Sequence, residues 1–141
     1  MTSRHSSNGN FVNGGNLTVS GTLGAELNCG ANSIGFTLQA ITQSTGTMTI
    51  DWRKGNHATI TLTASITTCT WTAPSNPCHL SLKVIQGGSG SYTVAWPALA
   101  IFVGKVAPIL TTAVGGKDHV GIDWDGTNYW LVGSLNFGVP A

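Results

Sequence analysis

The chain has 141 residues, the length of about one domain, and Gly, Thr, Ser and Asn make up 60 of them. Only 8% of the residues are charged and the formal net charge is +1, which excludes a Glu- and Lys-rich helical bundle and a nucleic-acid binder with a basic surface. Five tryptophans and four phenylalanines argue against a disordered chain. The composition therefore predicts a globular, all-β protein.

The first 33 residues predict an arm that precedes the folded domain. Residues 1–16 are rich in Ser, Asn and Gly, and residues 17–23 then alternate apolar and polar side chains like a short strand. Such a strand has little of its own chain to pack against, so we expect it to pair with another chain. The residues predicted to contact other chains are Phe11, Val12, Leu17, Val19 and Leu23. The start is also too polar for a signal peptide or a membrane span, so we expect synthesis in a cytoplasm.

From residue 34 onward, short segments of alternating apolar and polar residues are separated by turns. Such segments predict strands with one buried face, at residues 34–38, 48–52, 60–64, 80–84, 92–96, 110–112, 120–124, 129–132 and 135–137. The turns predict two hairpins, one joining 47–52 to 58–64 and one joining 80–84 to 92–96. The predicted fold class is all-β, an antiparallel, jelly-roll-like β-sandwich over residues 34–141 with an extended N-terminal arm over residues 1–33.

The densest group of polar side chains consists of Asp118, His119, Asp123 and Asp125. A calcium loop would continue with more acidic residues after Gly126, so a strand that ends in an Asp-Gly turn is the better interpretation. A zinc site would need paired ligand spacings, which are absent among His57, His79, His119, Cys69 and Cys78. We therefore expect no catalytic residue, no metal, no cofactor and no enzymatic activity.

The three cysteines, Cys29, Cys69 and Cys78, are an odd number, which argues against a framework of disulfides. Cys69 and Cys78 flank one turn and could face each other across strands, so a disulfide between them stays open. The alternative is a set of small buried thiols.

The five tryptophans raise the possibility of glycan binding, because exposed aromatic rings on a β-sandwich can stack on sugars. Trp52, Trp96 and Trp124 lie in phase with predicted core residues, which favours a packing role for them. Trp71 and Trp130 are less constrained by the pattern.

Several segments resemble, in order, a family of small β-sandwich domains in the virions of tailed bacteriophages. Asp51-Trp52-Arg53-Lys54-Gly55-Asn56 is similar to an Asp-Trp-x-x-Gly-Asn turn of that family. The other segments are residues 73–80, 82–86, Val94-Ala95-Trp96-Pro97, 107–112 and Trp124-Asp125-Gly126-Thr127-Asn128-Tyr129-Trp130. The similarity covers roughly residues 46–137, and residues 16–23 resemble the entry segments of phage fibres. The chain departs from the family at Phe102-Val103-Gly104-Lys105, where a second Trp-Pro-Gly-like turn is common.

The resemblance implies a structural protein of the virion, assembled in the host cytoplasm. Together with the polar arm and the low charge, it leads us to expect a capsid decoration (cement or head-fibre) protein that binds the outer head surface through its arm and stabilises the capsid. The expected partners are the major capsid protein and copies of the chain itself, as a homotrimer, and neither nucleic acid nor a membrane is expected. The alternative is a tail-fibre tip or receptor-binding module that recognises a host surface glycan.

Overall fold

The structure is a computed structural model that describes residues 35–138. It contains eight strands: β1 (Leu38–Ile41), β2 (Thr47–Asp51), β3 (His57–Leu62), β4 (Thr68–Thr72), β5 (Cys78–Gln86), β6 (Ala100–Phe102), β7 (Lys117–Trp124) and β8 (Tyr129–Phe137). Two 3₁₀ turns, Trp52–Lys54 and Val103–Lys105, are the helical elements of this part of the chain. The all-β prediction is confirmed. Within residues 35–138 no helix has the length and apolar character needed to span a bilayer.

The strands form one mixed sheet of six strands, in the order β1-β3-β5-β7-β8-β6, and one sheet of two strands, β2-β4. Strands β1, β3 and β5 run parallel, as do β2 with β4 and β6 with β8. Only the pairs β5-β7 and β7-β8 are antiparallel. The prediction of antiparallel pairing throughout is therefore wrong.

The predicted hairpin between residues 47–52 and 58–64 is also wrong, because the first five strands alternate between the two sheets. The chain leaves β2 through the 3₁₀ turn, where Asp51 accepts hydrogen bonds from the backbone N–H and the guanidinium of Arg53. The guanidinium holds the pKa of Asp51 at about 2. The same turn buries Trp52, so the chain bends into the core before β3 begins in the other sheet.

The second predicted hairpin, between β5 and residues 92–96, is wrong for a related reason. The backbone of Thr93 and Ala95 hydrogen-bonds to Ile66, beside the smaller sheet. The turn between the end of β5 and Tyr92 is held by the buried side-chain amide of Gln86. This amide donates a hydrogen bond to the backbone carbonyl of Tyr92 and accepts one from the backbone N–H of the same residue. A side chain thus replaces the backbone pairing expected there.

Both sheets contribute side chains to one hydrophobic core. Met48 and Ile50 of β2 are fully buried, as are Ile60 of β3 and Leu82 of β5. Alternation along the strands therefore predicted the buried face of these segments correctly. The alternation failed at β1. It predicted that Leu38 faces the core, but Leu38 lies beside His57 on the outer face of the sheet and is exposed.

An aromatic cluster occupies one part of this core, with Trp71 at its centre. The ring of Trp71 lies 5.6 Å from that of Trp52, 6.2 Å from Trp96 and 5.0 Å from Tyr129, in edge-to-face contacts. Tyr129 in turn lies 4.4 Å from Trp124. The predicted packing role of Trp52, Trp96 and Trp124 is confirmed, and Trp71 shares it.

Candidate contact surface

The predicted arm contacts Phe11, Val12, Leu17, Val19 and Leu23 lie outside residues 35–138 and stay a prediction. The same is true of the predicted arm, residues 1–33. The candidate surfaces below therefore belong to the β-domain.

The acidic group near the C-terminus is not assembled into one site. Asp118 points into the core, whereas His119 and Asp123 lie on the opposite face of β7 and Asp125 lies in the following turn. Side chains at odd and even positions of a strand point to opposite faces, so closeness in sequence does not bring these groups together. Among the described residues no three His, Cys, Asp or Glu side chains are placed to hold a metal ion.

Asp118 is a structural anchor. One carboxylate oxygen accepts from the backbone N–H of Thr111 at 2.8 Å, and the other accepts from the Thr111 hydroxyl at 2.6 Å and from the N–H of Asn136 at 2.9 Å. Asn136 has a φ of 60°, in the left-handed region that Asn tolerates better than most residues. The buried carboxylate thus ties the loop before β7 to the end of β8.

Asp125 accepts hydrogen bonds within its turn, as expected from the sequence, and also binds the indole of Trp130. Its carboxylate accepts from the backbone N–H groups of Thr127 and Asn128, both at 2.7 Å. It also accepts from the indole N–H of Trp130 at 2.6 Å, and this bond is the main reason that the pKa of Asp125 is lowered. The indole of Trp130 is therefore held in one orientation although half of the residue is exposed.

The three histidines of residues 35–138, His57, His79 and His119, lie on the outer face of the six-stranded sheet. The Nδ1 atom of His57 is 2.6 Å from the hydroxyl of Ser81, and that of His79 is 3.0 Å from the carboxylate of Asp123. His57, His79 and His119 line one open depression of about 540 Å³ together with Phe36, Leu38 and Lys83.

Cys69 and Cys78 are both free thiols. Burial raises the pKa of Cys69 to about 12 and is also the main cause of the raised pKa of Cys78, with a smaller contribution from the Asp123 charge. A raised pKa suppresses the reactive thiolate. The structure therefore agrees with free thiols rather than a disulfide, but both residues are partly buried, whereas full burial was expected.

Large apolar side chains are exposed along β8 and in the loop that follows β6. We call these residues the β8 edge region: Val103, Val106, Ile109, Val132, Leu135 and Phe137. They do not form one face, because the pairing with β7 places Val132 and Phe137 on the outer face of the sheet, whereas Gly133 lies on the core face, where a Cβ would lie 2.9 Å from Pro108 of the loop. Ile109 is 80% exposed and Val103 is 76% exposed.

The backbone of β8 is also open along this edge. β6 pairs only with the first three residues of β8, Tyr129 to Leu131. From Val132 onward, among the described residues, β8 has a backbone partner on its β7 side alone. An open strand edge is a ready template for pairing with another chain.

Sequence reasoning missed this open edge, because alternation distinguishes the two faces of a strand but does not show which strand lies at the edge of a sheet.

Comparison with protein-family models, with curated proteins and with solved structures finds no match to this chain. The candidate function is therefore argued from the sequence and from the surfaces described above.

Proposed function

We propose that this chain is a structural protein of a tailed-phage virion, a decoration protein that binds the outer surface of the head and stabilises the capsid. In this proposal the two sheets form the layers of a jelly-roll-like β-sandwich, and the arm, residues 1–33, makes the attachment. The chain is assembled in the host cytoplasm and has no enzymatic activity and no cofactor. Its partners are the major capsid protein and its own copies, as a homotrimer.

The observation that carries the proposal is the open edge of β8 beyond Leu131, with exposed apolar residues beside it, among them Val132 at 58% and Phe137 at 52%. An open strand edge is a template for pairing with another chain. A structural protein of a virion acts through contacts with neighbouring chains, and an open strand edge is suited to such contacts.

The segments that resemble phage domains have structural roles in the described fold. Asp51 accepts hydrogen bonds in the 3₁₀ turn, Trp52 is buried, and the Asn56 amide donates to the carbonyl of His79 at 2.8 Å. Asp125 holds the final turn. This supports an interpretation of the motifs as determinants of the fold, as expected for a structural protein.

The arm is proposed to bind the capsid through strand pairing and burial of its apolar residues, which together offset the entropic cost of binding. One such contact is weak on its own. Three arms on one trimer would act together and raise the apparent affinity through effective concentration.

The test is binding of the purified full-length protein to phage heads that lack it, measured by co-sedimentation and counted by quantitative mass spectrometry. A double variant, Leu17→Ser with Val19→Ser, should bind at least about 30-fold more weakly, as expected when contact residues of this size are lost. Phe36→Ser is the matched control, because Phe36 is a large exposed apolar residue of the β-domain. Equal binding by the double variant and the wild type would refute attachment through the arm.

A second candidate function, recognition of a host surface glycan, is favoured by Trp130. The residue is half exposed, and the hydrogen bond to Asp125 fixes the orientation of the indole before any ligand arrives. A fixed aromatic face is suited to stacking on a sugar ring. In that case the wild type should label host cells or a glycan array and Trp130→Ala should not, with Val114→Ala as an exposed apolar control. Binding to heads but not to glycans supports the decoration function.

A further inference from the structure

We infer that the outer face of the six-stranded sheet carries a binding site for a neutral sugar, with Trp130 as the ring on which the sugar stacks and Gly121 as the floor beside it. The inference rests on the second candidate function above, and it assigns the residues of that site and the class of sugar. The site is built from residues of the β-domain, whereas attachment to the head is proposed for the arm.

The first argument is the glycine at position 121, in the interior of β7. Glycine weakens a strand, and inside a strand it often marks a place where a ligand approaches the backbone closely. The fold itself does not require Gly121, because its φ is not positive and an added Cβ would meet only the carbonyl oxygen of Val132, at an ordinary distance of 3.8 Å. Its missing side chain leaves a shallow gap on the outer face, between Ser81 of β5 and Val132 of β8.

The second argument is the position of Trp130 relative to this gap. Gly121 pairs with Val132, so Trp130, two residues earlier on β8, is its diagonal neighbour on the same face. Such neighbours lie about 7–8 Å apart, which is within reach of an aromatic side chain. Half of Trp130 is exposed, and the hydrogen bond to Asp125 fixes the orientation of the indole. A group that is fixed in advance loses little entropy when a ligand binds.

The third argument is the row of polar groups beside the indole. Asp123 pairs directly with Trp130, and the Nδ1 atom of His79 on the next strand lies 3.0 Å from the Asp123 carboxylate. Both side chains are more than half exposed, so they can also bond to the hydroxyl groups of a sugar. An apolar surface with a few placed polar groups is typical of ligand sites. His79 also lines the open depression of about 540 Å³, within the usual range of about 300–1,000 Å³, which leaves room for a second sugar unit.

The charges around the indole select a neutral sugar. Two carboxylates lie beside Trp130, that of Asp123 on the adjacent strand and that of Asp125, which accepts from the indole N–H. Like charges repel, so these carboxylates disfavour an acidic sugar on the ring. Lys83, on the same face, lies two residue pairs further along the sheet from Asp123.

The experiment uses the full-length protein without phage heads. The probes are a glycan array of neutral hexose oligosaccharides, with sialylated and uronic-acid oligosaccharides for comparison. The neutral oligosaccharide with the strongest signal is then titrated by calorimetry and by NMR of the indole N–H of Trp130. The test variants are Trp130→Ala and Gly121→Val, and the matched control is Thr61→Val, which introduces the same residue at an exposed position on the outer face of β3.

We expect the wild type and Thr61→Val to bind neutral oligosaccharides and to show a shift of the Trp130 indole signal. Each test variant should bind at least about 10-fold more weakly, as for loss of one stacking contact. Gly121→Val should unfold at an equal or higher urea concentration than the wild type, because valine favours a strand more than glycine does, so its weaker binding would not result from misfolding.

Three results would each overturn the inference: no binding of neutral oligosaccharides, binding of acidic oligosaccharides alone, or an unchanged affinity of either test variant. Because no heads are present, these results leave the decoration function untouched. Failed binding of the wild type to heads would refute the decoration function and leave the sugar site standing.

Discussion

Replacement of Asp118 tests how the end of β8 is held in place. The carboxylate is buried and accepts three hydrogen bonds, two from Thr111 and one from Asn136. Asp118→Ala leaves two backbone N–H groups and a hydroxyl without a partner. Each bond to such a group contributes about 1.5–3 kcal/mol, and since the three are not additive, the free energy of unfolding should fall by about 3–5 kcal/mol. Asp118→Asn keeps the shape and one acceptor and should lose about 1–3 kcal/mol.

The assay is urea unfolding at one fixed protein concentration, followed by tryptophan fluorescence and circular dichroism. Asp123→Ala is the matched control, because Asp123 lies on the same strand but pairs with His79 at the exposed face. Its expected effect is at most about 1 kcal/mol. A loss below about 1 kcal/mol for Asp118→Ala, the size of an ordinary surface substitution, would refute the anchor role.

Three further predictions concern the turn after β5, a buried thiol and the last turn. Gln86→Leu removes both hydrogen bonds to the backbone of Tyr92 and should lower the free energy of unfolding by about 2–4 kcal/mol in urea, whereas no change would contradict the structural role of the amide. Cys69, with a pKa of about 12, should react with iodoacetamide at pH 8 at least about 100-fold more slowly than in the denatured chain, and equal rates would disprove its burial. Asp125 has a lowered pKa, so it contributes stability in full above the ordinary value of 3.8 and loses it as the pH falls through the lower, folded value. Trp130→Phe should raise this pKa in an NMR titration, and an unchanged value would show that the indole bond is not its cause.

Local sequence determined the strands and much of the core. Alternation placed Ile60, Leu82 and Val120 on buried faces, because a strand with one solvated face must alternate. The turn at Asp125-Gly126 was also predicted, since its hydrogen bonds lie within a few residues of one another. These features depend on contacts that are near in the chain.

Which strands pair was decided only by the tertiary structure. The pattern of a strand is the same whether its neighbour is parallel or antiparallel, so residues 47–52 and 58–64 appeared to be a hairpin although β2 and β3 belong to different sheets. The sequence also did not show two side-chain contacts that hold the backbone: the Gln86 amide binds the backbone of Tyr92, and the Asp118 carboxylate accepts from the N–H of Asn136, which is 18 residues further along the chain.

The open edge of β8 depends on the same long-range information. The backbone edge is open beyond Leu131 because β6 ends after three residues, whereas the side chains of Val132 and Phe137 are exposed because they lie on the outer face of the sheet. Strand order is fixed by how all the strands share one core, a property of the whole domain rather than of any window of sequence. Composition and periodicity therefore determined that this chain is a β-protein with few charges, and the fold alone decided which of its apolar residues face outward.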